Sequence, residues 1–368
     1  MKRAIFALTL LAVPAAAHAQ ARVTDANAPL KNYVARVLPR CPGGTLSLEA
    51  MATEGPANFK PYVATLRSSD QYCGTQKYVL HSPKSGQVVV GTVIPLPNDK
   101  RPTSVRVTEE ATRLIGKQLT ATIAPFPLPD GLKAVAINRP TAWGPFAYNG
   151  FVDASEQFLI VGFRGNLNAD PTKALREALN TSAGARRGNP TSKVEIIEIS
   201  DFQCPTCARA HEKIEPLLSK NLSKINYVRL DLPLFEHHEW AVNAALGARA
   251  LQKVAPAKYW QYVDYVFKNQ EIISKRKIDD VVKEWMEDND VDWNAVAKIY
   301  NSKSERQAIL DQVSRAFSVG VVATPTFIVN GQIMGFGPDG SFTFDAISNA
   351  LGVPIPKAPA KPAAKPSK

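Results

Sequence analysis

Short apolar or alternating runs, each bounded by turn-forming residues, recur through the first half of the chain at 77–80, 87–94, 119–123, 133–137 and 158–163, and this pattern predicts strands. Between them Thr108, Glu109, Glu110 and Ala111 open a helix-like stretch with acidic residues in its first turn, running towards Gly116. Residues 20–165 therefore read as an α+β domain. Asp170 and Pro171 then supply an N-cap and a first-turn proline for a short helix ending at Leu179, and turn-forming residues follow from Ser182 to Pro190, so 166–190 reads as a linker. The pattern changes beyond it. An apolar strand at 194–199 runs into Ser200, Asp201, Phe202 and Gln203, a helix is predicted to about Leu218, and a strand at 225–232. Residues 239–317 are helix-like, with Ala241, Ala244, Ala245 and Ala248 on one face and Trp260, Val263 and Phe267 on another; Trp240, Trp260, Trp285 and Trp293 are core candidates. Strand character returns at 324–333 around an Asn330-Gly331 turn, and 342–351 closes with a helix. Residues 191–352 thus form a second domain with a helical insertion at 239–317. The tail 353–368, rich in Pro, Ala and Lys, cannot bury apolar surface and is expected to be disordered.

The first residues change the picture of where the chain works. Lys2 and Arg3, an apolar run from Ala4 to Val13 and small residues up to Ala19 have the layout of a cleavable export signal over 1–19. That run is shorter than the roughly 18 apolar residues a membrane span requires. The expectation is a protein of the periplasm or outside the cell, where disulfides persist. Of the formal charge of +11, two sit in the signal and four in the tail (Lys357, Lys361, Lys365, Lys368), leaving +5 on the folded part. That is an ordinary solvated surface, and it argues against nucleic acid as a partner.

The four cysteines divide by spacing into Cys41 with Cys73 and Cys204 with Cys207. The second pair is a Cys-Pro-Thr-Cys motif delivered by a strand onto the start of a helix, where unsatisfied backbone N–H groups and the positive helix end favour a thiolate. Cys204 is the expected attacking sulfur and Cys207 the resolving one, with Pro205 suited to the first helical turn. Zinc needs a further ligand set that the sequence does not place nearby. His211 and the run Glu236-His237-His238-Glu239 read as structural, so no metal or other cofactor is expected. Cys41 and Cys73 read as a structural disulfide, adding roughly 3 to 4 kcal/mol in the chain-entropy model. A second redox pair is the alternative.

The run from Glu198 to Cys207, followed far downstream by Thr324-Pro325-Thr326-Phe327, resembles the exported thioredoxin-fold Dsb family, nearest its DsbA-like branch, over about 194–352. The resemblance implies an α/β thioredoxin-like fold with a helical insertion, preceded here by the smaller α+β domain. It implies a thiol-disulfide oxidoreductase acting on protein thiols or disulfides and recharged by a membrane redox partner. Pro325 would be a cis-proline, with Thr324 before it, holding substrate backbone beside the sulfurs together with Pro205 and Thr206. Glu198 matches the buried acid that relays a proton for Cys207, whereas Glu195 should lie on the other face of the strand. Thr206 stands where the strongest oxidants of the family have histidine, which points to a milder oxidant.

The order of an α+β domain, a linker helix and a thioredoxin domain is also similar to DsbC-like and DsbG-like isomerases. That layout would imply a homodimer formed through the first domain. A third reading, from a different class, is a non-enzymatic chaperone or copper carrier. Copper(I) favours methionines, and Met51, Met286 and Met334 lie away from the motif in sequence.

Overall fold

The computed structural model describes residues 27–68, 74–337 and 340–354; the signal, Cys73 and the tail from 355 lie outside the described residues. The first helix, α1 (Ala28–Val37), leads into β1 (Thr45–Ala50), β2 (Lys60–Arg67), β3 (Thr75–His81) and β4 (Gln87–Pro95). Helix α2 (Thr103–Ile115) follows and ends on Gly116 in the left-handed conformation, where the absence of a Cβ permits a positive φ of 70°. Strands β5 (Thr120–Ile123), β6 (Lys133–Thr141), β7 (Gly144–Val152) and β8 (Phe158–Asn166) complete an antiparallel sheet of order β1-β2-β3-β4-β8-β7-β6-β5.

The period of two explains this sheet's sidedness. Val88 and Val90 face a core shared with the rest of the chain, while Val89 between them packs with Phe59, Leu80 and Ile160 on the other face. Strands β1, β2 and β7 lie outside the predicted runs: β7 is interrupted by Gly, Pro and Asn, whereas β1 and β2 alternate but carry few strongly apolar residues.

Helix α3 (Pro171–Leu179) begins where Asp170 accepts a hydrogen bond from the Thr172 N–H. Strand β9 (Ala185–Gly188) follows in the stretch read as linker; it pairs antiparallel with β11 (Ile225–Asp231), so these residues form the edge of a second sheet. That sheet has the order β13-β12-β10-β11-β9, with β10 (Val194–Ser200) parallel to β11 and antiparallel to β12 (Thr326–Val329), which turns through Asn330-Gly331 into β13 (Gln332–Met334). Helix α4 (Pro205–Lys220) packs on one face with α11 (Ser341–Leu351). Between β11 and β12 stand α5 (Ala241–Val254), α6 (Tyr259–Lys268), α7 (Gln270–Ile273), α8 (Ile278–Asp288), α9 (Trp293–Tyr300) and α10 (Lys303–Ser318). Ala241, Ala244, Ala245 and Ala248 are all buried, as are Trp240 and Trp285, while Trp260 and Trp293 are half-buried.

The two sheets share one apolar core. Leu30 and Val34 of α1, Leu175 and Leu179 of α3, and Leu310 and Val313 of α10 fill the space between Phe146 and Phe163 of the first sheet and Ile197, Ile199 and Val228 of the second. The chain between α1 and β1 also joins the second sheet, since Arg40 N–H donates to the Ile333 carbonyl at 2.7 Å and Gly335 N–H to the Arg40 carbonyl at 2.8 Å. Cys41, which follows directly, is disulfide-bonded; Cys73, its expected partner, lies outside the described residues.

Candidate active site: a paired thiol at the start of helix α4

Cys204 is the N-cap of α4 and Pro205 its first residue, so the proline's missing N–H costs nothing and its φ suits the first turn. Both Cys204 and Cys207 are free thiols; Cys204 retains slight exposure, whereas Cys207 is fully enclosed. The Thr324–Pro325 peptide is cis and places the Thr324 carbonyl 3.5 Å from Cys204 Sγ. The Thr324 hydroxyl, its oxygen buried, acts on the same sulfur as a hydrogen-bond donor. Pro325 is buried and Pro205 exposed; Thr206, half-buried, accepts from Arg209 Nη2 at 3.0 Å.

The two sulfurs are driven apart in acidity. The Cys207 thiol, by donating a hydrogen bond to Cys204, lowers the Cys204 pKa more than burial raises it, and with the Thr324 side chain and the Cys207 backbone N–H it brings Cys204 down from 9.0 to about 6. Burial pushes Cys207 well above the ordinary thiol range, and the neighbouring Cys204 adds to this. One sulfur is therefore a thiolate near neutral pH, and its partner keeps its proton until an opposing change releases it.

Glu198 is buried and shares its sheet face with Ile196, which packs against Ala210 and Ile214 of α4. Its carboxylate accepts a hydrogen bond from the Tyr227 hydroxyl, and among the described residues no hydrogen bond joins it to Cys207. Glu195 lies on the other face and pairs with Arg176 at 2.7 Å. Beneath the motif the buried Arg229 guanidinium stands 4.0 Å from the Phe202 ring centroid and pairs with Asp231 at 2.5 Å.

Three residues, Asp201, His238 and Gln270, have a place at the site that the sequence pattern does not give them. Asp201, fully buried, accepts from the backbone N–H groups of Gln203 (2.8 Å) and Leu234 (2.7 Å) and from His238 Nδ1 (2.6 Å). Gln270 of α7 donates to the carbonyls of Phe202 (2.7 Å) and Cys204 (3.0 Å), tying the insertion to the motif. The only signals for these were polar residues next to a motif or in apolar surroundings. His211 is likewise engaged, its Nε2 lying 2.7 Å from Asp264. Glu215 nearby is ion-paired with Arg187, so a cation already occupies the surroundings of that cluster.

The sheet order, the cis-proline loop and the cysteine pair capping α4 define a thioredoxin-fold domain with a dithiol at a helix N-terminus. Residues 180–352 match the family model described as Thioredoxin, and this domain is similar to Dsb-family thioredoxin-fold proteins. A probable disulfide bond formation protein D of Bacillus cereus is 25% identical over 178 residues, covering 46% of this chain and 78% of that protein. A Na(+)/H(+) antiporter NhaA 3 of Salinispora tropica is 27% identical over 165 residues, 45% of this chain. The match spans only 24% of that antiporter's length. Among solved structures, BdbD from Bacillus subtilis (oxidised) aligns with a TM-score of 0.41 at 16% identity, over 46% of this chain and 94% of that one. Among the described residues no helix is long and apolar enough to cross a membrane.

Proposed function

We propose that the chain is an exported thiol-disulfide oxidoreductase that exchanges disulfides with protein thiols through Cys204 and Cys207. The observation that carries this reading is the divided acidity of the pair: a thiolate-prone Cys204 beside Thr324-Pro325 and an enclosed, protonated Cys207. In the oxidising direction a client thiolate attacks Cys204 Sγ of the Cys204–Cys207 disulfide. A client–Cys204 disulfide forms, the internal bond breaks, and Cys207 leaves with the electron pair and takes up a proton. A second client thiolate then attacks the client sulfur and expels Cys204 as a thiolate, which its low pKa makes a good leaving group. The client loses two electrons and the protein gains them. A membrane redox partner would remove them again.

The cis-proline loop and Thr206 would border the client backbone at Cys204. Glu198, held by Tyr227 on the face of β10 that carries α4, is the candidate proton acceptor on the Cys207 side. A Cys204 pKa of about 6 lies between the roughly 3.5 of DsbA and the roughly 7 of thioredoxin, which supports a moderate oxidant. The test is oxidation of a reduced, unfolded client together with the equilibrium potential of the pair against glutathione. Wild type should turn over and C204S should not, while C207S, offered a disulfide-bonded client, should attack it through Cys204 and accumulate the unresolved mixed disulfide. Absence of exchange in the wild type, in either direction, sinks the reading.

A further inference from the structure

The loop that joins β11 to α5 approaches the cysteine motif from the side opposite the cis-proline and is pinned at four points. Leu234 N–H and His238 Nδ1 both bind the Asp201 carboxylate, and Trp240 N–H donates to Gln203 Oε1 at 2.7 Å. Phe235 packs edge-on to Phe146 of the first sheet with ring centroids 5.3 Å apart. Glu236 pairs with the buried Arg139 and, at 3.3 Å, with Lys117. Such anchoring fixes one imidazole position, and with Nδ1 committed to Asp201 the second proton of this ring goes to Nε2.

Asp201 needs a partner. Its carboxylate is fully buried three residues before Cys204, its N–H donates to Cys207 Sγ at 3.5 Å, and its carbonyl accepts from Cys204 N–H at 3.2 Å. A bare negative charge here is costly in itself and opposes the thiolate at Cys204.

We propose that His238 is a positioning residue for Cys204: seated on Asp201, it cancels the charge that Asp201 sets against the thiolate, so a cation enters from the β11–α5 loop where the motif has Thr206. This rests on the proposed function for the use to which the thiolate is put, not for the arrangement itself. The electrostatics agree with the geometry. Burial pulls the His238 pKa down, yet the hydrogen bond and charge of Asp201 and the nearby Cys204 outweigh it, and the net shift is upward. The neighbouring titratable groups on its own loop are Glu236, His237 and Glu239, and Glu236 engages Arg139 of β6 and Lys117 just before β5.

The experiment uses the reduced full-length chain and follows Cys204 by ultraviolet thiolate absorbance and by its alkylation rate with iodoacetamide across pH. H238A should leave about tenfold less thiolate at pH 5, and H238N, which can still donate to Asp201 but carries no charge, should move the same way. In a D201N background the same H238A change should alter thiolate less than about twofold, because the opposing charge is gone. Coupling is reciprocal, so the His238 ring, followed by NMR, should titrate at lower pH in the oxidised than in the reduced wild type. An unchanged Cys204 titration in H238A and H238N overturns the proposal, as does an equal loss with and without Asp201. If client exchange fails in the wild type while these shifts appear, the proposed function falls and this arrangement stands. If exchange proceeds while the Cys204 titration stays flat in both His238 variants, this arrangement falls and the proposed function stands.

Discussion

Replacing Cys204 by serine removes an ionisation that is coupled to folding, and the size of the coupling follows from the site. In the fold Cys204 ionises at about 6 against an ordinary 9.0, and it is too enclosed for solvent to screen much of the difference. Because the folded pKa is the lower one, the stabilisation is present in full above the unfolded pKa and disappears as pH falls through about 6. Integrated over the proton, it approaches about 4 kcal/mol above pH 9, is about 1.5 kcal/mol at pH 7, and is close to zero at pH 5. The fully buried Cys207 behaves oppositely: its pKa is raised, so its contribution is lost only as pH rises past the unfolded thiol value, and it largely cancels between the two proteins. The assay is urea unfolding of reduced wild type and C204S at pH 5, 6, 7 and 8. The stability difference between them should grow by about 1.5 kcal/mol from pH 5 to 7 and by a further kcal/mol or so to pH 8. Parallel pH dependences in the two proteins would refute the claim that the fold stabilises the Cys204 thiolate. The same thiolate term favours the reduced over the oxidised protein, so its absence would also remove the physical basis for an oxidant.

Two further outcomes follow. Removing the Cys207 thiol as a donor in C207A should raise the Cys204 pKa, reducing thiolate at pH 6 several-fold, whereas C207S, which keeps a donor, should fall between it and wild type when alkylation is followed against pH. Phe146 is buried against Phe235, Phe317 and Tyr148, so F146A should cost about 3 to 5 kcal/mol; because the core it fills is shared by both sheets, calorimetry should show the whole wild-type chain unfolding in a single transition.

The strand leading to the cysteines was legible because β10 is largely buried on both faces and reads as an apolar-rich run broken by Glu195 and Glu198, and the Asn330-Gly331 turn because its positive φ values of 49° and 80° suit those residues. Strand β9 was hidden among turn-forming residues: four residues long, it owes its place to pairing with β11 rather than to any pattern of its own. The division into domains was read from composition, yet α1, α3 and α10 fill the space between the sheets, and apolar helix faces do not announce which partner they will meet.

The site divides in the same way. Cys204, Pro205 and Cys207 form a local motif, and the resemblance that motif carries was enough to propose that Thr324-Pro325, far downstream, takes part in the same chemistry. The sequence by itself determined which two sulfurs stand together at a helix start, since a local motif specifies that. Only the tertiary structure decided how acidic they are, because beside the mutual contact of the two thiols the acidity depends on burial by the surrounding elements and on Thr324, 120 residues from Cys204, and charge and burial act through space rather than along the chain.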